Sequence, residues 1–160
     1  MEGPDVTDRP APTIRLAEMQ HVAEIAACAR LAFGRYSAAI GRDPAPMRAD
    51  FAAHVAAQEA FVALGQCGQF LGYIVLLTRP DHLYVDALAV RPEAKGKGLG
   101  RALIAFAEEE ARRKHLPRLD LCTNQQMTEN QTFYPHLGFT ETGRGREDGY
   151  DRVFYTKALG

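Results

Sequence analysis

Cysteine is scarce in this chain: Cys28, Cys67 and Cys122 are the only three in 160 residues, odd in number and far apart. That excludes a disulfide framework and points to buried, reduced thiols in a cytoplasmic protein. Net charge is nearly absent, at −1 from 19 basic and 20 acidic residues. Without a broad positive field, neither nucleic acid nor an anionic membrane surface is an expected partner. No apolar run approaches the length of a bilayer span, and the first residues lack the basic start and apolar core of a signal peptide. The five histidines (His21, His54, His82, His115, His136) lack the i, i+4 or short-loop spacing of metal ligands, so no metal site is expected.

What remains is an ordinary globular composition, 46% hydrophobic and 24% charged, in a length that buries a core without staples. Residues 1–12, with Pro4, Pro10 and Pro12 and no periodicity, read as a flexible tail, and residues 13–160 as one domain. Ile14 and Leu16 alternate as a short strand. Helical spacing follows over residues 21–39 and resumes over 47–57 after the break at residues 41–46. Strands are predicted over residues 60–64, 70–77 and 82–90. The helix into which the glycines open carries Leu99, Ala102, Leu103, Phe106, Ala107 and Ala111 on one face and the i, i+4 pairs Glu108–Arg112, Glu109–Arg113 and Glu110–Lys114 on the other. A strand over 119–123 and a helix over 128–137 follow. Two strands, 139–142 and 153–159, then close around a loop at 143–151. The order β-α-α-β-β-β-α-β-α-β-β predicts an α+β fold of layered type. Its centre is a mixed, mostly antiparallel twisted sheet of about seven strands with about four flanking helices.

The densest chemistry lies at Lys95-Gly96-Lys97-Gly98-Leu99-Gly100-Arg101. A strand stops at Pro92, and alternating glycines open into a helix, leaving a row of main-chain N–H groups among cations, which suits a phosphate or diphosphate. No Ser or Thr follows Lys95 or Lys97, which removes a Mg²⁺-nucleotide P-loop. The third glycine of a dinucleotide fingerprint is replaced by Arg101, with no ribose-binding acid in place. A glycine-rich turn without a ligand is the bland alternative.

This run resembles the acetyl-CoA diphosphate loop of the GNAT N-acetyltransferases, with Lys95 where Gln or Arg is usual. Leu88-Ala89-Val90-Arg91-Pro92 is similar to that family's fourth strand. Phe133-Tyr134-Pro135-His136-Leu137-Gly138-Phe139 is similar to its aromatic-Tyr-x-x-Leu-Gly-Phe segment. The likeness extends over the element order from Ile14 to Leu159.

The resemblance implies acetyl-CoA as co-substrate and no metal. It implies diphosphate contacts from the main chain of Lys95, Gly96, Lys97, Gly98, Leu99, Gly100 and Arg101. Pantetheine would pair with Leu88, Ala89 and Val90, the Leu88 N–H serving as oxyanion donor. Tyr134 would be the general acid toward the departing thiolate; a core aromatic is the alternative. Strand alternation puts Tyr84, Asp86, Leu88 and Val90 on one face, making Asp86 a candidate base or acceptor contact. The family's Asn seven residues before the tyrosine is Met127 here, so Asn124 and Asn130 are the candidates for the pantetheine amides. Tyr36 and Met47, in the 35–50 connection, are candidate acceptor contacts, and the 143–151 segment is the other expected wall. Three functions fit: acetylation of a small-molecule amine or amino acid, acetylation of a protein or peptide, and a CoA-binding sensor without turnover. The assembly expected is a monomer or homodimer.

Overall fold

A computed structural model describes residues 12–160; the tail expected over residues 1–12 lies, except for Pro12, outside the described residues. Seven strands form one open sheet: β1 (Thr13–Leu16), β2 (Ala60–Leu64), β3 (Phe70–Thr78), β4 (Leu83–Val90), β5 (Arg118–Asn124), β6 (Thr140–Glu147) and β7 (Tyr150–Ala158). Their order is β1-β2-β3-β4-β5-β7-β6. Every neighbouring pair is antiparallel except β4 with β5. Helices α1 (Val22–Phe33), α2 (Ser37–Ile40) and α3 (Phe51–Ala56) precede β2; α4 (Leu99–Arg113) and α5 (Asn130–His136) flank β5 in the chain. The single helix predicted over residues 21–39 is interrupted by a 3-10 turn at Gly34–Tyr36. Asp50 caps α3, its carboxylate accepting from the Ala53 N–H at 3.0 Å, so the second predicted helix starts later than its periodicity suggested.

Two apolar layers sandwich the sheet. Leu99, Leu103, Ile104, Ala107 and Ala111 of α4 pack with Leu83, Val85, Leu119 and Leu121 on one side. On the other, Ile25, Cys28, Ala29 and Phe33 of α1 and Phe51 and Val55 of α3 pack on Val62, Tyr73 and Val75. Each large aliphatic side chain withdrawn in this way contributes about 1.5–3 kcal/mol. On the outer face of α4 the closest ion pairs are i, i+3: Arg112 to Glu109 at 2.7 Å and Arg113 to Glu110 at 2.6 Å. Glu108 reaches across to Lys157 on β7 at 3.2 Å. Cys28 is buried and Cys122 half-buried, as reduced thiols, but Cys67 is exposed in the β2–β3 turn, against the expectation of burial.

Two local departures bear on function. The segment 143–151 is not a loop: β6 and β7 run through it and turn at Asp148-Gly149, both with positive φ (54° and 80°). That is the two-residue primed turn whose twist matches a hairpin. In β4, Val75 faces Ala87 while Leu76 faces Val85, leaving Asp86 as an extra, bulged residue. The bulge resets the alternation. Leu83 and Val85 belong to the α4 layer, whereas Ala87 and Ala89 belong to the α1/α3 layer. Tyr84 therefore does not share a face with Leu88 and Val90 as strict period-2 spacing required.

Candidate active site

The site is created by a failure to pair. β4 and β5 are in register only at Leu83–Leu119, Tyr84–Asp120 and Val85–Leu121, after which they separate. The Arg91 N–H donates to the Leu71 C=O on β3 at 2.8 Å. Alternation along the strand then turns the N–H and C=O of Ala89 to the same side, and those of Leu88 and Val90 toward the gap left by β5. The gap opens into a cleft lined by Asp86 and Leu88 of β4, Cys122 and Asn124 of β5, Tyr134 of α5 and residues 44–46.

At the end of β4, Gly96 and Gly98 take positive φ (78° and 81°), a conformation that costs a side-chain-bearing residue about 1 kcal/mol or more. Gly98 is the residue before α4. Among the described residues, no main-chain N–H from Gly96 to Arg101 meets a main-chain acceptor. Gly100 serves a different purpose: a Cβ there would stand 3.0 Å from the Phe133 ring, so its absence lets α4 approach α5 closely. Lys95 pairs with Glu129 at 3.3 Å, and Glu129 also holds Arg35 at 2.9 Å. Hydrogen bonds from Arg35 first, then Lys95, hold the Glu129 carboxyl below its usual range.

Tyr134 is 7% exposed. Its ring packs edge-on to Phe133 and Phe139, with centroids at 5.0 and 5.6 Å, and it lines the cleft. Burial raises its phenol above the ordinary range, so the proton stays on oxygen across neutral pH. Pro135 sits inside α5 yet Tyr134 remains helical; in a seven-residue helix the lost N–H costs one bond near the C-terminal end. Met127 is buried at 4%, its sulfur 3.7 Å from Asn130 Nδ2. Asn130 Nδ2 also donates to Thr123 Oγ1 at 2.9 Å, and Asn124 Oδ1 accepts from the Gln126 N–H at 2.9 Å. Each amide thus has one half engaged locally.

On the acceptor side, Asp86 lines the cleft, but Tyr36 and Met47 do not: both pack against the α1/α3 layer. Pro44, Ala45 and Pro46 stand where those two were expected. The hairpin tip docks on this segment. Tyr150 Oη donates to the Asp43 C=O at 2.6 Å, and Arg42 lies 3.7 Å over the Tyr150 ring and donates to the Asp148 C=O. Arg152 and Tyr84 complete the wall, and Tyr84 Oη lies 3.0 Å from Cys122 Sγ. Burial raises the Asp86 carboxyl, against the lowering influence of His54, Arg152 and Arg79. A loop over 143–151 leaves Arg152 outside the expected site, whereas the Asp148-Gly149 turn signal carries it into β7 and onto the cleft wall.

Comparison with known proteins agrees with this architecture. The acetyltransferase (GNAT) family model matches residues 19–139. A peptidyl-lysine N-acetyltransferase of Escherichia coli, YjaB, is 32% identical over 94 residues, 59% of this chain and 58% of that protein, so the chain spans little more than half the length of this relative. Nourseothricin acetyltransferase is 28% identical over 63% of this chain and 65% of its own, with TM-score 0.59. The PaiA N-acetyltransferase of Thermoplasma acidophilum, solved with coenzyme A, shares the fold at 17% identity, covering 94% of this chain and all of that one, with TM-score 0.75. With the family model spanning most of its length and the split sheet and glycine loop in place, the chain belongs to the GNAT acetyltransferase family.

Proposed function

We propose that the protein moves an acetyl group from acetyl-CoA to the primary amine of a small molecule by direct attack in a ternary complex. The observation that carries this reading is the cleft where β4 leaves β5, which joins an open strand edge, a buried phenol and a carboxylate around one opening. Acetyl-CoA, when bound, supplies the thioester carbonyl and the thiol leaving group. The unpaired N–H groups of residues 96–101, backed by Lys97 and Arg101, suit its diphosphate. The open edge of Leu88 and Val90 suits an extended amide chain lying alongside as an added strand. The Leu88 N–H then faces the oxygen that gains negative charge, a donor worth about 3 kcal/mol. Tyr134 holds a proton for the departing sulfur, and Asp86 takes one from the acceptor ammonium. A carboxylate raised by burial is a stronger base than a solvated one.

The choice of a small acceptor rests on the hairpin tip, which docks on Arg42 and Asp43 beside the cleft and gives it a wall that suits a compact amine. A lysine side chain of a protein is the second reading, favoured by the 32% identity to a peptidyl-lysine N-acetyltransferase. Both are tested by following thiol release from acetyl-CoA with putrescine, L-lysine, tyramine and a lysine-containing tetrapeptide. Faster release with the free amines supports the first reading, and a preference for the tetrapeptide transfers support to the second. Acetyl-CoA binding without acceptor-dependent release in any arm overturns both in favour of a sensor.

A further inference from the structure

One chain of side chains leads out of the cleft. Phe51 and Val55 of α3 are buried in the core, leaving His54 half-buried on the helix flank. After α3 the backbone reverses through Gln58 in the left-handed region (φ 59°). The Glu59 N–H donates to the His54 C=O at 2.9 Å, and the Glu59 C=O accepts from the Leu76 N–H at 2.8 Å. Glu59 is thereby fixed to the sheet with its carboxylate 2.9 Å from His54 Nδ1. An ionised carboxylate only accepts, so the Glu59 contact places a ring proton on Nδ1, and in the neutral imidazole Nε2 is then the acceptor. That Nε2 lies 3.9 Å from Asp86 Oδ2, about 1 Å beyond hydrogen-bond length, the distance the two side chains must close for a proton to pass.

The chemistry needs such an exit. Acetyl transfer from a thioester to an ammonium forms one N–C bond, breaks one C–S bond and strips two protons from nitrogen. One proton ends on sulfur; the other must reach solvent before Asp86 can act again. Few groups facing Asp86 can take it. Arg79 from the β3–β4 turn and Arg152 from β7 are already cationic. Tyr73 on β3, Tyr84 on β4 and Cys122 on β5 are all pushed upward by burial and keep their own protons. His54 is the neighbour that turns a ring nitrogen toward Asp86, and Glu59, one-third exposed, opens to water behind it.

Resting on the acetyltransferase reading above, we infer that His54, oriented by Glu59, is the positioning residue through which the proton taken up by Asp86 leaves the cleft. The test compares wild type, His54→Gln and Glu59→Gln using the fastest acceptor among putrescine, L-lysine, tyramine and the tetrapeptide. A base in direct contact contributes about 100-fold or more, and a relay behind it less, so His54→Gln is expected to lower kcat on the order of ten-fold. Acceptor KM and acetyl-CoA Kd should stay within roughly two-fold. Added imidazole should restore most of the lost kcat, which a merely structural loss would not allow. Glu59→Gln still accepts from Nδ1 but loses the charge; it should show a smaller, equally rescuable loss, and it carries the test if His54→Gln does not fold. A kcat loss that imidazole leaves untouched, or a change in KM alone, overturns the relay. An active wild type with unchanged variants overturns the relay alone, whereas a wild type that turns over no amine removes the acetyltransferase reading and the relay together.

Discussion

Replacing Tyr134 by phenylalanine isolates a single oxygen atom. The ring is seated against Phe133, Phe139 and Tyr155, with centroids at 5.0, 5.6 and 6.1 Å, and Tyr134→Phe keeps all three contacts. Stability should therefore move by no more than about 1 kcal/mol. Turnover should fall much further. A phenol near pKa 10 and a thiol near 8.5 are mismatched as acid and leaving group by about 1.5 units, and burial widens the gap by raising Tyr134. The hydroxyl thus stabilises developing negative charge on sulfur by donating a hydrogen bond, with full transfer late. That places its contribution at the low end for a positioned acid, about 100-fold or 2.7 kcal/mol in the barrier. The same raised pKa keeps the acid protonated through pH 9 or so, so no loss of kcat from its ionisation is expected across the neutral range. The assay is steady-state thiol release with the best acceptor, beside acetyl-CoA Kd by calorimetry. A kcat within roughly two-fold of wild type, or a loss carried wholly by a weaker Kd, refutes the argument.

Asp86→Asn should stabilise the protein while impairing it. A carboxyl raised in the folded state costs stability once pH climbs through its unfolded and then its folded value. The variant should therefore melt higher than wild type at pH 7, the difference vanishing near pH 3, while kcat falls. Glu129→Gln frees Lys95 and Arg35 from exposed ion pairs at 3.3 and 2.9 Å. Releasing Lys95 to a diphosphate should tighten acetyl-CoA up to about five-fold in low salt, read by calorimetry, and less at high ionic strength. Tyr150→Phe removes the 2.6 Å bond to the Asp43 carbonyl, costing about 1 kcal/mol in thermal melts. Its acceptor KM should rise while acetyl-CoA Kd holds.

What the sequence makes legible follows from the range of the interaction concerned. The α4 helix, the β2–β3 hairpin and the glycine loop are written in local spacing: an apolar stripe, a Gly-rich turn, and glycines at 96 and 98 where the backbone takes positive φ. Asp148-Gly149 is an equally local turn signal, but it is set among charged residues that also suit a solvated loop, and the position of Arg152 depends on it. The bulge at Asp86 is another matter, because nothing in Leu83–Val90 distinguishes eight residues in strict alternation from seven plus one. Only the register against Val75 and Leu76 decides. That one residue carries much of the site, because without it the faces of β4 would not exchange between Val85 and Ala87. The link from Asp86 to His54 and Glu59 depends on the same long-range event. His54 and Glu59 are five residues apart and could have been paired by inspection, but a scattered histidine gains meaning only when a strand from elsewhere in the chain delivers a carboxylate to its free nitrogen.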